Sequence, residues 1–261
     1  MNLSRLKTYH DTTCAGALRF MEDISQTMQF DRNEALLDVG CGSGSLTTLL
    51  SKRVGRVTAL DVSPVMIDAA EKNNRAENIT YRVADATKLT TFREYRDKFD
   101  KVVAYFVLQW MNDAKEALEG IHQSLKPGGQ CFVNTTQHNP DVFDTVNALG
   151  TYTDSKWSTF MEGYEYAYYP FHGNADDYKQ ILAGIGFNDI DCTQKVFKYP
   201  FKYDEAREFY PSFMGQLVRF PEDKREEYAE EAVNYVLDAG DKDGDEYLWT
   251  VSVITAVATK Y

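Results

Sequence analysis

The chain has 261 residues, of which 43% are hydrophobic, and it carries a formal net charge of −12 at pH 7. This length and composition suffice for one sizeable core, or for a core with a cap. The acidic excess argues against a wide nucleic-acid surface, because binding to phosphate backbones depends on clustered Lys and Arg. It argues equally against docking on anionic membranes.

The chain contains no apolar run of the roughly 20 residues that a membrane helix needs, and its N-terminus, MNLSRLKTYHDTT, has no hydrophobic signal core. Cys14, Cys41, Cys131 and Cys192 lie far apart without a C-x-x-C pair. Such spacing is typical of free thiols in a reducing compartment rather than of disulfides or zinc ligands. We therefore expect a soluble, cytoplasmic protein without a metal.

Strand and helix patterns alternate through the first half of the chain. A helical pattern over 14–28 comes first. The next predicted strands are 35–39, 57–60, 78–85, 99–108 and 130–136, and the predicted helices are 46–54, 64–73 and 113–125. Ser63 is the expected N-cap of the second of these helices, with Pro64 at its first position. The Lys-Pro-Gly-Gly sequence at 126–129 should end the third. Repeated βα units of this kind predict an α/β fold with a parallel sheet covered on both faces.

The alternation stops after residue 136. The stretch 137–173 is dense in aromatic residues and resembles a cap. A helix over 176–185, a strand over 190–197, helical structure over 204–238 and a closing strand over 246–261 complete the pattern. We predict one domain, with an N-terminal helical lid (1–30), a cofactor-binding core (31–136), cap insertions with a sixth strand (137–240) and the region of the final strand (241–261).

The turn after the first predicted strand is rich in glycine. Its sequence, LLDVGCGSGSL, places Gly40, Gly42 and Gly44 at alternate positions, whereas a dinucleotide-binding turn has the pattern G-x-G-x-x-G. Asp38 precedes the turn and suits a positively charged ligand group better than a pyrophosphate. Asp61 ends the second predicted strand, where a carboxylate can accept two hydrogen bonds from a ribose diol.

A third acidic residue, Asp85, lies at the end of the third predicted strand. With the backbone of its neighbour, it is placed to bind an adenine amine. Three carboxylates at successive strand ends fit a nucleoside that carries a cation and no phosphate. Each feature also has a structural alternative, since glycines make tight turns and aspartates cap helices.

These aspartates and glycines, in their order along the chain, resemble the motifs of the class I S-adenosylmethionine-dependent methyltransferases. The resemblance covers about 30–136, through the three aspartates, the glycines, FDKVVAYFVLQW and LKPGG, and more loosely the closing TAVATKY. It implies a Rossmann-like, mostly parallel seven-stranded sheet with helices on both faces and a helical, aromatic-rich cap. It also implies S-adenosyl-L-methionine as cofactor. The cofactor-binding residues that it implies are Asp38, Gly40, Gly42, Gly44, Asp61, Val62, Met66, Asp85, Ala86 and Phe106.

A narrower resemblance extends over most of the chain. FDKVVAYFVLQWMND, HNPDVFDTV, KWSTFME and YPFHGNADDYKQILAGIGF are similar to segments of the juvenile hormone acid and farnesoic acid methyltransferases. That group implies methyl transfer to the carboxylate of an apolar acid. Two positions depart from the group: Gln109-Trp110 replaces a His-Trp pair, and Thr13 stands where the relatives carry Gln. Both lie in regions expected near the acceptor.

The chemistry of the acceptor decides whether a base is needed. A carboxylate is already ionised at neutral pH, so orientation and exclusion of water would determine the rate. A phenol or an ammonium group must lose a proton, for which histidine is the usual base. We select Trp110, Gln109 and His138 as catalytic candidates. The candidates for contact with the substrate are His10, Thr13, Trp157, Tyr164 and His172.

Three alternatives remain open from the sequence. The acceptor can be another small molecule, such as a phenol or an amine. The chain can be a catalytically idle, cofactor-binding relative. A nicotinamide oxidoreductase fits the glycine spacing and Asp38 least well. The sequence predicts a small-molecule partner rather than nucleic acid or membrane, and it gives no indication of oligomeric state.

Overall fold

The structure is a computed structural model that describes residue 21 and residues 24 to 261. Residues 24–27 are helical, and the rest of the predicted helix 14–28, apart from residues 21 and 28, lies outside the described residues. The described strands are β1 (Ala35–Val39), β2 (Arg56–Asp61), β3 (Ile79–Val83), β4 (Phe99–Ala104), β5 (Leu125–Thr136), β6 (Phe187–Phe201), β7 (Asp241–Asp243) and β8 (Glu246–Lys260). The α-helices are α1 (Ser45–Ser51), α2 (Pro64–Asn73), α3 (Ala114–Ser124), α4 (Thr145–Thr151), α5 (Ser158–Met161), α6 (Ala175–Ile185), α7 (Tyr203–Phe209) and α8 (Arg225–Ala239).

The strands form one mixed sheet in the order β3-β2-β1-β4-β5-β8-β6. Strands β1 to β5 pair in parallel, and β8 pairs antiparallel to β5. The three-residue β7 pairs only with β8 and lies off this path. The predicted seven-stranded, mostly parallel sheet is therefore confirmed, with β7 as an unpredicted eighth strand.

Alternate side chains of the central strands build two separate hydrophobic layers, one on each face of the sheet. On β1, Leu36 packs into a layer with Leu50 of α1 and Ile24. Its neighbour Leu37 packs into the opposite layer, which contains Ile121 of α3 and Leu182 of α6. This alternation follows from the two-residue repeat of a strand. Helices therefore cover both faces, as predicted.

Several strand boundaries differ from the sequence prediction, among them those of β4 and β5. The apolar run 99–108 predicts strand throughout, but β4 ends at Ala104. The predicted strand 130–136 begins earlier, at Leu125, and its pairing with β4 shifts register between Phe99 and Lys101. The preceding helix ends at Ser124, as the Lys-Pro-Gly-Gly sequence predicts, and this sequence forms an irregularity inside β5.

The chain divides into two compact units. The sheet unit, as we call it, comprises 24–137, 169–194 and 253–261 among the described residues, together with residue 21. The aromatic unit comprises 138–168 and 195–252. Strands β6 and β8 pass from one unit into the other. No helix in the described part of the chain is long and apolar enough to cross a membrane.

The aromatic unit has a hydrophobic core of its own. Tyr228 of α8 is fully buried and stacks on Phe220, with 4.1 Å between ring centroids. The expected helical region 204–238 is interrupted, because 3₁₀ turns separate α7 from α8. Pro211 and Pro221 lie in this interval, where the missing N–H of proline disfavours a continuous helix.

Candidate cofactor and acceptor site

The glycine turn after β1 is fixed to the end of β2. The amides of Gly40 and Cys41 both donate to the carbonyl of Leu60, at 2.7 and 2.9 Å. Gly40, Gly42 and Gly44 have φ angles of 73°, 54° and 85°. This left-handed backbone favours glycine. The three glycines therefore allow a tight loop at the carboxyl edge of the sheet, where open α/β sheets bind ligands.

Two of these glycines are also required by close contacts. A Cβ on Gly40 would lie 2.1 Å from Cγ2 of Val107, and a Cβ on Gly44 would lie 2.5 Å from the hydroxyl of Tyr81. Both distances are far shorter than a van der Waals contact. The loop therefore packs directly against the segment after β4 and against β3.

Asp61 is oriented by the backbone on both of its carboxylate oxygens. The amide of Gly42 donates to Oδ2 and the amide of Ser63 donates to Oδ1, each at 2.9 Å. Partial burial raises the pKa of this carboxyl, and the two amide hydrogen bonds counteract the rise. Each oxygen keeps a further lone pair. The geometry therefore fits a group that presents two hydroxyl donors, such as a ribose diol.

Asp38 is almost completely buried, with 2% of its surface exposed. Burial raises the pKa of its carboxyl to about 7, and the negative charge of Asp61 contributes to the rise. The hydroxyl of Thr47 donates a 2.6 Å hydrogen bond to the carboxylate and counteracts the rise. A buried carboxylate without a cation is costly. A positively charged ligand group beside Asp38 would relieve that cost, so the environment fits the cationic part of S-adenosylmethionine.

Asp85 performs a local structural task. Its carboxylate caps the 3₁₀ helix Ala86–Thr91, accepting from the amide and the hydroxyl of Thr87 at 3.0 and 2.7 Å. The Thr87 hydroxyl is the main cause that holds the pKa of this carboxyl below its usual range, and Lys88 at 3.4 Å also lowers it. The side chain of Asp85 therefore acts as a helix cap, which is the structural alternative considered for it. Contact between Asp85 and the adenine stays a prediction. Ala86 is buried.

An exposed apolar patch adjoins Asp61. Val62 is the next residue and is 69% exposed, Val65 is 48% exposed, and Val83, the β3 residue paired with Asp61, is 52% exposed. Met66, whose amide donates to the Ser63 cap at 3.4 Å, lies in the same turn of α2 and is half-buried. Exposed valines beside a polar anchor suit the flat face of an adenine. Sequence reasoning missed Val65 and Val83, although each lies within four residues of a predicted site residue.

The segment after β4 brings three predicted residues together. Phe106 has a positive φ of 48°. Its amide donates to Oδ1 of Asn134 at 2.6 Å, and its carbonyl accepts from Nε2 of Gln109 at 2.8 Å. Gln109 is buried, and its Oε1 has no hydrogen-bond partner among the described residues. Trp110 is half-buried in the 3₁₀ turn Leu108–Trp110. Sequence reasoning missed Asn134, a polar residue within an apolar strand.

His172 lies on a short extended segment at the same edge of the sheet unit. The amide of Tyr169 donates to the carbonyl of Gln109 at 2.6 Å, and the amide of Phe171 donates to the carbonyl of Thr136 at 2.8 Å. Nε2 of Gln137 donates to the carbonyl of Gly173 at 2.7 Å. His172 itself is exposed. The segment therefore adjoins the ends of both β4 and β5.

The remaining described candidates belong to the aromatic unit. His138 is exposed. It is one of the groups that lower the pKa of Asp144, which burial raises overall. Tyr164 is half-buried, with the guanidinium carbon of Arg219 5.6 Å from its ring centroid.

Trp157 lies in the core of the aromatic unit. Only 3% of it is exposed, and its indole N–H donates to Glu231 at 2.7 Å. Its ring lies edge-on to Tyr228 within the core of the aromatic unit. Its ring and its polar atom are both used in the core, so the core-packing alternative describes its observed contacts, and contact of Trp157 with the substrate stays a prediction. His10 and Thr13 lie outside the described residues.

The cysteines of the described chain do not form a metal centre. Cys41, Cys131 and Cys192 are free thiols. In the part of the chain that the structure describes, no three His, Cys, Asp or Glu side chains form a group that could hold a metal.

The chain is similar to known methyltransferases. Residues 37–133 match the family model described as "Methyltransferase domain". The chain is 29% identical to the juvenile hormone acid O-methyltransferase of Drosophila melanogaster over 92% of this chain and 86% of that one. It is 27% identical to the enzyme of the same name from Bombyx mori over 84% and 80%. The malonyl-[acyl-carrier protein] O-methyltransferase of Paenibacillus sp. is also 27% identical, over 77% and 76%.

Solved structures share the fold. The YcgJ protein of Bacillus subtilis superimposes with a TM-score of 0.62 at 16% identity, over 94% of this chain and 98% of that one. The phosphoethanolamine N-methyltransferase 2 of Haemonchus contortus, in complex with S-adenosyl-L-methionine, gives a TM-score of 0.57 at 16% identity, over 95% and 53%.

The domain match at 37–133 and the similarity to known methyltransferases define the class of this protein: it is an S-adenosylmethionine-dependent methyltransferase. Its cofactor is S-adenosyl-L-methionine. The predicted resemblance to the juvenile hormone acid methyltransferase group is confirmed as a similarity over most of the chain.

Proposed function

We propose that this methyltransferase transfers the methyl group of its cofactor to the carboxylate of a small, largely apolar acid. One observation carries the proposal. The similarity to relatives named for O-methylation of an acid extends over 92% of the chain, far beyond the family match at 37–133. The similarity therefore includes segments outside the common cofactor-binding core.

The sheet unit supplies the groups that hold the cofactor. Asp61 binds the ribose hydroxyls, because both of its oxygens are already oriented by backbone amides. Asp38 lies near the cationic amino-acid part, and the glycine turn permits close approach of the backbone. Val62 and Met66 flank the adenine, together with Ala86.

The bound cofactor supplies an electrophilic methyl group on a sulfonium, which must be transferred in line. A carboxylate has a pKa near 4–5 and is ionised at neutral pH, so the protein does not need to remove a proton. Its task is to orient the acceptor and to exclude water. We assign these tasks to Phe106 and Trp110 after β4, and we assign to His172 of the same unit a role in binding the acceptor. Contact of Tyr164 and His138 with the acceptor stays a prediction from the sequence.

One observation favours a second candidate function, transfer to a phenol or an amine. Nε2 of Gln109 is committed to the carbonyl of Phe106, so the side-chain amide has a fixed orientation. Its Oε1 is buried without a described partner and can only accept a hydrogen bond. A phenol or an ammonium group that reached this oxygen would donate to it, whereas an ionised carboxylate has no proton to donate.

A panel of acceptors that differ only in the reacting group separates the two candidates. We suggest a medium-chain fatty acid, the matching alcohol and amine, and a phenol with the same alkyl chain, each with methyl-labelled cofactor. The expected product is a base-labile methyl ester from the acid. Exclusive transfer to the phenol or the amine would favour the second candidate. Transfer only to protein or nucleic acid would reject both, and cofactor binding without turnover would indicate an idle relative.

We also propose that the protein works in the cytoplasm on a small molecule, without a nucleic-acid partner. The free thiols at Cys41, Cys131 and Cys192 suit a reducing compartment. The net charge of −12 opposes binding to a phosphate backbone. Fractionation of the native cells, with the protein followed by antibody, tests the location.

A further inference from the structure

Phe106 has a backbone conformation that residues other than glycine rarely adopt. It is one of three described residues other than glycine with a positive φ, together with Asp97 and Asp189. Aspartate tolerates this region better than most residues, whereas a bulky aromatic residue there is an outlier. Such strain persists only where the surroundings enforce it, and it concentrates at functional sites.

Two side chains enforce the conformation. The β4–β5 ladder ends where Ala104 pairs with Val133. Beyond that point the side chain of Asn134, which is 2% exposed, replaces the missing ladder acceptor and takes the amide of Phe106 at 2.6 Å. Gln109 donates to the carbonyl of Phe106 at 2.8 Å. Both peptide groups of the strained residue are therefore held by buried amide side chains.

The enforced turn determines where the neighbouring side chains lie. In an extended strand, adjacent side chains point to opposite faces. Here the rings of Tyr105 and Phe106 contact each other, with centroids 4.9 Å apart. The next residue, Val107, packs so closely on Gly40 that a Cβ there would lie 2.1 Å from its Cγ2. The turn at Phe106 thus connects β5 to the glycine loop.

We propose that Asn134 and Gln109 are positioning residues that hold Phe106 in its left-handed conformation, and thereby hold Val107 against Gly40 and set the glycine loop for the cofactor. The inference rests on the proposed assignment of this loop to cofactor binding. It assigns a function to Asn134, for which the sequence motifs give no role.

The main test replaces Asn134 with leucine, which is similar in size but cannot accept a hydrogen bond. We expect Asn134→Leu to weaken binding of S-adenosylhomocysteine by about tenfold in calorimetry, as is typical of coupling through neighbouring groups. Thr135→Val is the matched control on the same strand, and it should leave the affinity within about twofold. Equal affinity of Asn134→Leu and wild type would overturn the proposal.

A double-mutant cycle distinguishes positioning from a general loss of structure. Glycine adopts a positive φ without support, so Asn134→Leu should cost much less affinity in a Phe106→Gly background. An undiminished cost in that background would also overturn the proposal. Asn134→Leu should raise KM for the cofactor more than it lowers kcat, because the chemical groups are untouched.

A third measurement does not depend on the cofactor. Phe106→Gly and Phe106→Ala remove the same ring, but only glycine relieves the strain. Phe106→Gly should therefore melt a few degrees higher than Phe106→Ala. Equal melting temperatures would show that the conformation is not enforced. If this difference persisted but the wild type failed to bind the cofactor, the assignment of the glycine loop to cofactor binding would be wrong. The role of Asn134 and Gln109 in holding the conformation of Phe106 would still stand.

Discussion

Two carboxylates of the sheet unit and two aromatic donors of the other unit have different surroundings. In the sheet unit, Asp38 and Asp61 lie at strand ends, where burial raises their pKa and backbone or hydroxyl donors orient them. In the aromatic unit, polar atoms pair within the core: the indole of Trp157 donates to Glu231, and the hydroxyl of Tyr228 donates to the carbonyl of Tyr152 at 2.7 Å. The two carboxylates of the sheet unit are thus left for a ligand to stabilise, whereas the Trp157 and Tyr228 donors are satisfied within the core of the aromatic unit.

This difference teaches that a high density of aromatic residues does not by itself indicate a ligand site. Aromatic rings bury large areas and build a core readily. A binding site is better indicated by polar groups whose environment opposes their charge. Variants in the two units should accordingly affect stability and cofactor binding to different extents.

The largest effect should come from the core of the aromatic unit. Trp157→Ala removes a buried ring and leaves Glu231 without its indole donor, so we expect a loss of about 3–5 kcal/mol in the free energy of unfolding. Cofactor affinity of the folded protein should stay within about threefold of wild type. Denaturant titration and calorimetry measure the two quantities. A large loss of affinity with unchanged stability would contradict the core assignment.

Gly40→Ala should affect both quantities. The new Cβ would lie 2.1 Å from Val107 at a φ of 73°, so the loop must move. We expect a loss of about 2–3 kcal/mol in stability, from overpacking and backbone strain together, and at least a roughly tenfold loss in cofactor affinity. Gly128→Ala is the control, because its φ is 81° and nothing lies within 4 Å of the added Cβ. If both variants behaved alike, backbone strain alone would explain the effect.

Asp61→Ala should act mainly on binding. Removing the carboxylate takes away the proposed acceptors for the ribose, and affinity for S-adenosylmethionine should fall by about 1.5–3 kcal/mol. Asp61→Asn keeps one acceptor oxygen and should lose less. Isothermal calorimetry compares the three proteins. Unchanged affinity of the alanine variant would remove Asp61 from the proposed site.

Asp38 gives a prediction with a defined pH dependence. Its folded pKa, about 7, lies above the ordinary value of 3.8, so its protonated form is favoured by folding. Its contribution to the stability of the cofactor-free protein is present below about pH 4 and is lost as the pH rises to about 7. Asp38→Asn should therefore stabilise the cofactor-free protein by about 1–2 kcal/mol at pH 8 and have little effect at pH 4.

The same variant should weaken cofactor binding at pH 8, because the amide cannot pair with a cation. In the wild type, affinity should decline as the pH falls below 7 and Asp38 becomes protonated. Thermal melts and calorimetry at pH 4, 6 and 8 provide the comparison, and a pH-independent difference in stability would show that Asp38 is not the titrating group.

Local patterns predicted the elements whose causes are local. β1 ends where predicted, and α2 begins at Pro64 after its Ser63 cap. A strand repeat and an N-cap both depend on residues that are neighbours in sequence, so a local pattern is sufficient to predict them. The early end of β4 could not be predicted, since it depends on Asn134, which is 28 residues from Phe106 in sequence. The core position of Trp157 depends similarly on Glu231, 74 residues away. Contacts between distant residues therefore account for these differences.

The smallest expected effect concerns His138. If the acceptor is a carboxylate, it is ionised throughout the range above pH 6, so the rate should be nearly flat with pH. His138→Ala should then act only through acceptor positioning, with a loss of less than about tenfold, below the range of general-base catalysis. If the acceptor is a phenol or an ammonium group, the rate should rise around neutrality, where imidazoles titrate. The same substitution should then remove about 10²–10⁴-fold. A pH–rate profile of wild type and His138→Ala with the best acceptor decides between the two mechanisms. We expect the flat profile, and a steep profile that flattens on mutation would reject the carboxylate acceptor.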